Sequence, residues 1–137
     1  MPTTLSFSDT ALPALELAAQ QATPSVKLDP TAGRVTLRGE SYPENSPEFY
    51  RPIIDWVRHY LARQTSPLHI ELELSYVNTG SIKCLMDLFD ECEAAHQRGQ
   101  AVSVAWRHHA DNPRVREAAE EFRDELSLPF EISADAD

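Results

Sequence analysis

The sequence predicts a single α/β domain in which one mixed β-sheet is covered by about three helices, in the order ββαβαβαβ. Segments of alternating apolar and polar residues, typical of strands, are interleaved with segments whose apolar residues recur every three or four positions, as in helices. The 137 residues fit one ordinary domain, and 42% of them are hydrophobic, which is enough for a packed core.

The N-terminal segment is polar, rich in alanine and interrupted by Pro13. We expect residues 1–22 to be a flexible extension, with at most a short helical piece around Leu15–Gln21. The compact domain is then expected over residues 23–133, and residues 134–137 are expected to be a disordered tail.

The first predicted elements of the domain are a hairpin and a helix. Ser25–Asp29 and Arg34–Arg38 alternate apolar and polar residues around a turn at Pro30–Gly33. Ser46 then provides a capping hydroxyl before a helix that is predicted to continue through about Arg63. Because proline has no backbone N–H to donate, Pro52 is expected to kink the first turns or to delay the regular helix to its own position.

Strands and helices alternate through the rest of the chain. In order, they are a strand over Leu68–Tyr76, a helix that ends at Arg98–Gln100, a strand over Ala101–Arg107, a helix that starts at Asn112–Pro113, and a short strand over Leu128–Ile132. Strand–helix–strand units cross over right-handed, so their strand-to-helix loops meet at the carboxyl edge of the sheet. We therefore expect the loops Tyr42–Asn45 and Tyr76–Ser81 to lie side by side.

The second of these loops carries a candidate switch residue. Either Asn78 or Thr79 can cap the following helix, because each has a short side-chain acceptor. The free N–H groups and partial positive charge of a helix start favour an anion, including a phosphate, which on Thr79 would add about −1.5 to −2 charges. The alternative is that Thr79 is only a cap. Gly80 has neither the glycine-rich run nor the following lysine of a phosphate-binding loop.

Charge excludes several classes of function. The formal net charge is −10, and two of the twelve basic residues are lysines, which argues against binding nucleic acid or an anionic membrane surface. The apolar stretches are too short and too broken by charge for membrane insertion, and the first ten residues lack the pattern of a signal peptide. We therefore expect a cytoplasmic protein.

Catalytic and metal-binding chemistry is not indicated. Cys84 and Cys92 lie roughly 12 Å apart along one predicted helix, beyond the ~7 Å that a disulfide spans, so buried thiols are expected. Cys92 and His96 share a helix face, but two ligands do not complete a zinc site. For His108–His109, we expect a surface turn rather than a metal site. We expect no catalytic residue, no metal and no cofactor, so a small enzyme is the least favoured alternative.

Two further groups are candidate partner contacts. Asp87 belongs to an acidic helix face that is either simply solvated or part of a docking surface. Glu44 and Asn45 lie where a turn and a helix cap are expected, and their predicted position beside Thr79 suggests a second role in orienting the loop or contacting a partner.

Several spaced motifs resemble the SiaC family of bacterial regulatory phosphoproteins, over roughly Thr23 to Ile132. The motifs are Ser41–Ser46, Asp55–Trp56, Asn78–Thr79 followed by Ser81–Ile82, Met86–Asp87, Glu93–His96, Ala118–Arg123 and Pro129–Phe130.

This resemblance implies a fold related to the STAS, or anti-sigma-factor-antagonist, domains and a role in partner switching. A cognate protein kinase would phosphorylate Thr79, and a PPM-type phosphatase would remove the phosphate. The unphosphorylated form would bind and activate a diguanylate cyclase, a GGDEF protein, and so raise cyclic di-GMP and promote biofilm formation or aggregation. Gly80 stands where a serine is expected from the family. This departure removes one alternative phosphoacceptor and leaves Thr79 favoured over Ser81.

The alternative is a STAS-type antagonist of an anti-sigma factor or kinase, with no link to cyclic di-GMP. The predicted site has Thr79 as the phosphorylated residue, a switch loop and a set of partner-binding residues. The loop residues are Asn78, Gly80 and Ser81, and the partner-binding residues are Tyr42, Glu44, Asn45 and Asp87.

Overall fold

Six strands and three helices make up the described part of the protein, which in this computed structural model is residues 12–63 and 65–134. The strands are β1 (Leu15–Leu17), β2 (Ser25–Asp29), β3 (Arg34–Ser41), β4 (Leu68–Val77), β5 (Val102–His108) and β6 (Phe130–Ala134). The helices are α1 (Ser46–Arg63), α2 (Thr79–Gln97) and α3 (Pro113–Glu125).

The strands form one mixed sheet in the order β1-β2-β3-β4-β5-β6. β1, β2 and β3 pair antiparallel, whereas β3, β4, β5 and β6 pair parallel, with one helix in each parallel connection. Because the parallel strands follow one another in a single direction and such crossovers are right-handed, all three helices lie on one face. The predicted fold class is confirmed, and the helices cover only that face.

The core lies between the sheet and the helices. Leu68, Ile70, Leu72 and Leu74 of β4 all point toward the helices and are buried. Burial of a large apolar side chain contributes about 1.5–3 kcal/mol, so this central strand is a major part of the hydrophobic stabilisation. The largest side chains packed in this layer are Trp56, Trp106, Tyr50, Tyr60 and Phe89.

The opposite face of the sheet is polar. Arg34 pairs with Glu71 at 3.1 Å, and Glu73 accepts from both Arg38 at 2.7 Å and Arg107 at 3.3 Å. These partly exposed pairs each contribute little to stability, but they explain why β4 alternates apolar residues with acidic ones.

The N-terminal expectation is corrected at one point. Leu15–Leu17 is strand β1 rather than a helical piece, and Leu15 and Leu17 pair with Leu28 and Val26 of β2. Trp56 Nε1 donates to the Pro13 carbonyl at 2.7 Å, so the sheet and α1 together hold the segment. Tertiary pairing outweighs the local composition of this short segment, which lies within the expected flexible extension.

Helix α1 has the predicted bounds, and of the two capping residues expected before it, Asn45 rather than Ser46 makes the cap. Asn45 is the cap, because its Oδ1 accepts the Glu48 N–H at 3.1 Å while its Nδ2 donates to Glu48 Oε2 at 3.1 Å. Ser46 is instead a buried first helical residue. Pro52 lies inside the continuous helix, so the expected delay of the helix to Pro52 is wrong.

The final strand lies two residues later than predicted. β6 runs over Phe130–Ala134, because the Leu128 N–H donates to Glu93 Oε1 at 3.1 Å instead of joining the sheet. Ala134, expected in the tail, is therefore the last residue of β6, and the rest of the expected tail lies outside the described residues.

Candidate functional site

The carboxyl edge of β3 and β4 brings the two predicted strand-to-helix connections together, as expected. The second is shorter than predicted, because β4 continues through Val77 and α2 begins at Thr79, so Gly80 and Ser81 belong to the first turn of α2 rather than to a loop. The Asn78 N–H donates to the Ser41 carbonyl at 2.9 Å, and Asn78 Nδ2 donates to the Pro43 carbonyl at 3.4 Å. The rings of Tyr42 and Tyr76 meet edge-on with centroids 5.9 Å apart. The backbone that precedes α1 and the backbone that precedes α2 therefore form one contiguous site.

Asn78 is the cap of α2. Its backbone is extended, and its Oδ1 accepts the Ser81 N–H at 2.8 Å. Thr79 is the first helical residue, and its side chain is exposed. Of the two capping candidates in the sequence, Asn78 alone provides the acceptor, so capping does not account for Thr79.

Ser81, the second hydroxyl of the predicted loop, is completely buried. Its Oγ lies 2.8 Å from Ser41 Oγ and donates to the Ser41 carbonyl at 3.2 Å. Ser41 Oγ in turn lies 2.6 Å from the hydroxyl of Tyr50, and burial raises the pKa of Tyr50 to about 12. An enzyme acting on the folded protein would therefore reach Thr79 but not Ser81.

Gly80 allows α1 and α2 to begin in close contact. A Cβ atom on Gly80 would lie 2.7 Å from Ser46 Oγ and 3.2 Å from Ser46 Cβ. A Cβ atom at position 80 would therefore require the Ser46 side chain to turn away and to shift slightly, whereas glycine needs no such adjustment.

Two exposed apolar side chains lie close to Thr79 in the chain. Tyr76, 48% exposed, precedes Thr79 by three residues, and Met86, 40% exposed, follows it by about two turns of α2. The register between β3 and β4 shifts after Gly39, so Ser75 is an extra residue in β4. This bulge ends the burial pattern and exposes Tyr76, which strict alternation from Leu68 predicts on the apolar face of the strand.

Other predicted partner contacts are more dispersed. Glu44 and Asn45 are exposed in the loop before α1. Asp87 is also exposed but lies further along α2, beside a groove of about 540 Å³ between α1 and α2 that reaches Gly80. The acidic end of this groove includes Asp90, whose pKa is raised by burial and by neighbouring carboxylates.

Metal and thiol chemistry find little support in the described residues. Within residues 12–63 and 65–134, no group of three histidine, cysteine or acidic side chains is placed to hold a metal ion. Cys84 and Cys92 are buried free thiols, and burial raises the pKa of Cys92 to about 12, which makes it a poor nucleophile. None of the helices in these ranges is both long and apolar enough to cross a membrane.

Comparison with known proteins places this chain among regulatory phosphoproteins. Residues 17–135 match the model of the SiaC family regulatory phosphoproteins. An uncharacterised protein of Pseudomonas aeruginosa (strain UCBPP-PA14) is 48% identical over 120 residues, covering 88% of this chain and 95% of the relative.

Two solved structures are similar over nearly their whole length. SiaC of Pseudomonas aeruginosa is 46% identical with a TM-score of 0.85, covering 90% of this chain and 99% of SiaC. A crystal structure of the diguanylate cyclase SiaD in complex with its activator SiaC, from the same species, matches with 47% identity and a TM-score of 0.85, covering 88% and 99%. The resemblance drawn from the sequence motifs is confirmed: this chain belongs to the SiaC family of regulatory phosphoproteins.

Proposed function

We propose that this protein is a phosphorylation-controlled partner switch. Its unphosphorylated form binds and activates a diguanylate cyclase, raising cyclic di-GMP and promoting biofilm formation or aggregation, and phosphorylation of Thr79 releases the cyclase. The observation that carries the site assignment is that Thr79 is exposed, whereas Ser81 is buried and hydrogen-bonded.

The cyclase partner is supported by the relative that forms such a complex at 47% identity. The surface beside Thr79 also suits a partner, because Tyr76 and Met86 expose apolar area there. We include Tyr42, Glu44, Asn45 and Asp87 as proposed contacts, since the first three share the loop edge and Asp87 borders the adjacent groove.

Charge explains how the switch would operate. A phosphate adds about −1.5 to −2 charges and a bulky hydrated group to a surface that the partner must dehydrate. The protein already has a formal charge of −10, so the added charge opposes any partner contact made by acidic or apolar groups. The free N–H groups at the start of α2 would stabilise the same phosphate on the free protein.

The reactions themselves belong to the partners in this proposal. A cognate protein kinase transfers the phosphoryl group to Thr79, and a PPM-type phosphatase removes it, both in the cytoplasm. The chain contributes an accessible hydroxyl and no catalytic group.

Charge substitution at position 79 provides the test. We expect Thr79→Ala to retain the wild-type affinity for purified SiaD of Pseudomonas aeruginosa, and Thr79→Asp to weaken it by about tenfold or more, because only aspartate adds charge. Calorimetry measures the affinity, and formation of cyclic di-GMP from GTP measures activation.

The matched control is Thr31→Asp, which adds the same charge at an exposed threonine in the β2–β3 turn, at the opposite edge of the sheet. Equal affinities for Thr79→Ala and Thr79→Asp would contradict a charge-controlled interface. Fragment mass spectrometry after incubation with the kinase and ATP is the accompanying site check, and phosphate on Ser75 or Ser81 with Thr79 unmodified would refute the assignment.

The same binding experiment separates the alternative function. A STAS-type antagonist without a link to cyclic di-GMP would neither bind SiaD nor change its activity. Binding to an anti-sigma factor instead would favour that alternative.

A further inference from the structure

Three buried hydroxyl groups connect the start of α2 to the end of β3 and to α1. Ser41, Tyr50 and Ser81 are each 0% exposed, and their oxygens form a chain with separations of 2.6 and 2.8 Å. The three residues come from three different elements and are distant in sequence. We call this group the hydroxyl cluster.

Hydrogen-bond accounting gives the cluster a direction. Ser81 has the Ser41 carbonyl as an acceptor at 3.2 Å, so its proton is used there. Either oxygen can be the donor in the Ser41–Ser81 and Ser41–Tyr50 pairs, and one assignment has Ser41 donating to Ser81 Oγ and Tyr50 donating to Ser41 Oγ. In this arrangement each of the three hydroxyl protons has an acceptor. If Ser41 donated to Tyr50 instead, the phenolic proton would have no acceptor in these hydrogen bonds. Since an unsatisfied buried donor is costly, the chain runs from Tyr50 to Ser41 to Ser81.

The same turn of α2 is fixed at two other points. Asn78 holds the Ser81 N–H at 2.8 Å and donates its own N–H to the Ser41 carbonyl at 2.9 Å. Gly80 sits against Ser46, whose Oγ would lie 2.7 Å from a Cβ atom on Gly80. Thr79 is therefore an exposed residue between two neighbours, Asn78 and Gly80, whose backbone positions are tightly determined.

We propose that the hydroxyl cluster positions Thr79 as a phosphoacceptor. By fixing the first turn of α2, Ser41, Tyr50 and Ser81 hold the Thr79 backbone in one orientation, so that its hydroxyl meets a kinase in a defined geometry. This inference rests on the proposed function and adds to it three positioning residues that touch neither the phosphate donor nor the kinase. Because phosphoryl transfer depends on accurate alignment of the attacking oxygen, loosening this turn lowers the rate of the chemical step.

Two tyrosines of α1 provide a matched pair of variants. Tyr50→Phe removes the phenolic hydroxyl of the cluster, whereas Tyr60→Phe removes the hydroxyl of another buried tyrosine, which donates to the Pro67 carbonyl at 3.0 Å. Tyr60 lies ten residues further along the same helix, about 15 Å from Tyr50. Both substitutions cost one phenolic hydrogen bond, and only Tyr50→Phe affects the turn that bears Thr79.

Hydrogen exchange of the unphosphorylated protein is the first measurement. We expect amide exchange at Ser81 and Ile82 to become about five- to tenfold faster in Tyr50→Phe, which corresponds to the loss of one hydrogen bond, and to stay at the wild-type rate in Tyr60→Phe. Equal exchange in the two variants would overturn the proposal. Ser41→Ala, which breaks the chain in its middle, should accelerate exchange at least as much as Tyr50→Phe.

Phosphorylation kinetics with the cognate kinase and ATP are the second measurement. We expect Tyr50→Phe to lower kcat by about fivefold to tenfold with KM nearly unchanged, because alignment is lost while the docking surface remains. Tyr60→Phe should leave both constants at wild-type values, and an unchanged kcat in Tyr50→Phe would also overturn the positioning role. A wild-type chain that the kinase does not modify at Thr79 would instead refute the proposed function, and the exchange rates would still decide whether the cluster fixes this turn.

Discussion

At the start of α2, two neighbouring residues have separate tasks. Asn78 satisfies a backbone N–H of the helix, and Thr79 presents its hydroxyl to solvent. Because the capping bond is made by Asn78, Thr79 can be modified without loss of the cap. A residue that both capped the helix and accepted phosphate would couple signalling to unfolding of its own helix end.

This division of tasks predicts different stabilities for two alanine variants. Asn78→Ala should lower the free energy of unfolding by about 1 kcal/mol, as expected for loss of an N-cap, whereas Thr79→Ala should change it by less than about 0.5 kcal/mol. Urea denaturation of the unphosphorylated protein measures both values. Equal destabilisation would mean that Thr79 also contributes to the cap.

At the scale of elements, one carboxylate connects α2 to the segment between α3 and β6. Glu93 Oε1 accepts the N–H groups of Ser127 at 2.9 Å and Leu128 at 3.1 Å, and Oε2 accepts from the Ser127 hydroxyl at 2.5 Å and from Gln97 at 2.9 Å. The Ser127 hydroxyl is the largest influence that lowers the pKa of Glu93 to about 2. These contacts place β6 two residues later than its sequence suggests.

The Glu93 contact predicts a specific pH dependence. Because the pKa of Glu93 is lowered in the folded state, its carboxylate contributes fully to the free energy of unfolding above the ordinary pKa of 4.5. This contribution is lost as the pH falls from there toward about 2. Glu93→Gln should therefore be less stable than wild type by about 1–2 kcal/mol at pH 7, with a smaller difference at pH 3. Urea denaturation at the two pH values measures this change.

Glu121→Gln is the control, because Glu121 is an exposed glutamate of α3 outside this contact. Its difference from wild type should stay nearly constant between the two pH values. If the difference in free energy of unfolding between Glu93→Gln and wild type does not become smaller at low pH, packing rather than the charged hydrogen bonds dominates at this position.

For the whole molecule, the placement of all three helices on one face leaves the two sides of the sheet chemically different. The uncovered side is polar because of the Arg–Glu pairs of β3, β4 and β5. The connections from β3 to α1 and from β4 to α2 lie together at the carboxyl edge of the parallel strands. At the first position of the strand order, β1 pairs with the outer edge of β2, and Pro13, two residues before β1, provides the carbonyl that accepts from Trp56.

The contribution of β1 can be tested by truncation. The free energy of unfolding of a chain that starts at residue 18 should be about 2–4 kcal/mol lower than that of a chain that starts at residue 12. The shorter chain loses the Trp56 hydrogen bond and the packing of Leu12, Leu15 and Leu17 against the core. Chemical denaturation followed by tryptophan fluorescence measures the difference. Equal stability would indicate that β1 is not part of the cooperative fold.

Much of the fold was predictable because its signals are local. The hairpin turn, the bounds of α1 and the end of α2 are encoded in short stretches of turn, capping and periodic residues. The adjacency of the two loops also followed, since right-handed crossovers leave few arrangements of a parallel sheet. β1 was missed because three residues are too few to show alternation, and the exposure of Tyr76 was missed because the bulge depends on the register with β3.

The sequence by itself determined the α/β class, the SiaC family and the strand-to-helix junction at which Thr79 lies, because these follow from periodicity, turn chemistry and spaced motifs. Only the tertiary structure decided which hydroxyl at that junction is accessible. Ser81 is buried by Ser41, 40 positions away in the chain, and by Tyr50 of α1, whereas Thr79 faces solvent. Accessibility is a property of packing between distant segments, so it emerges only once the strands and helices have assembled.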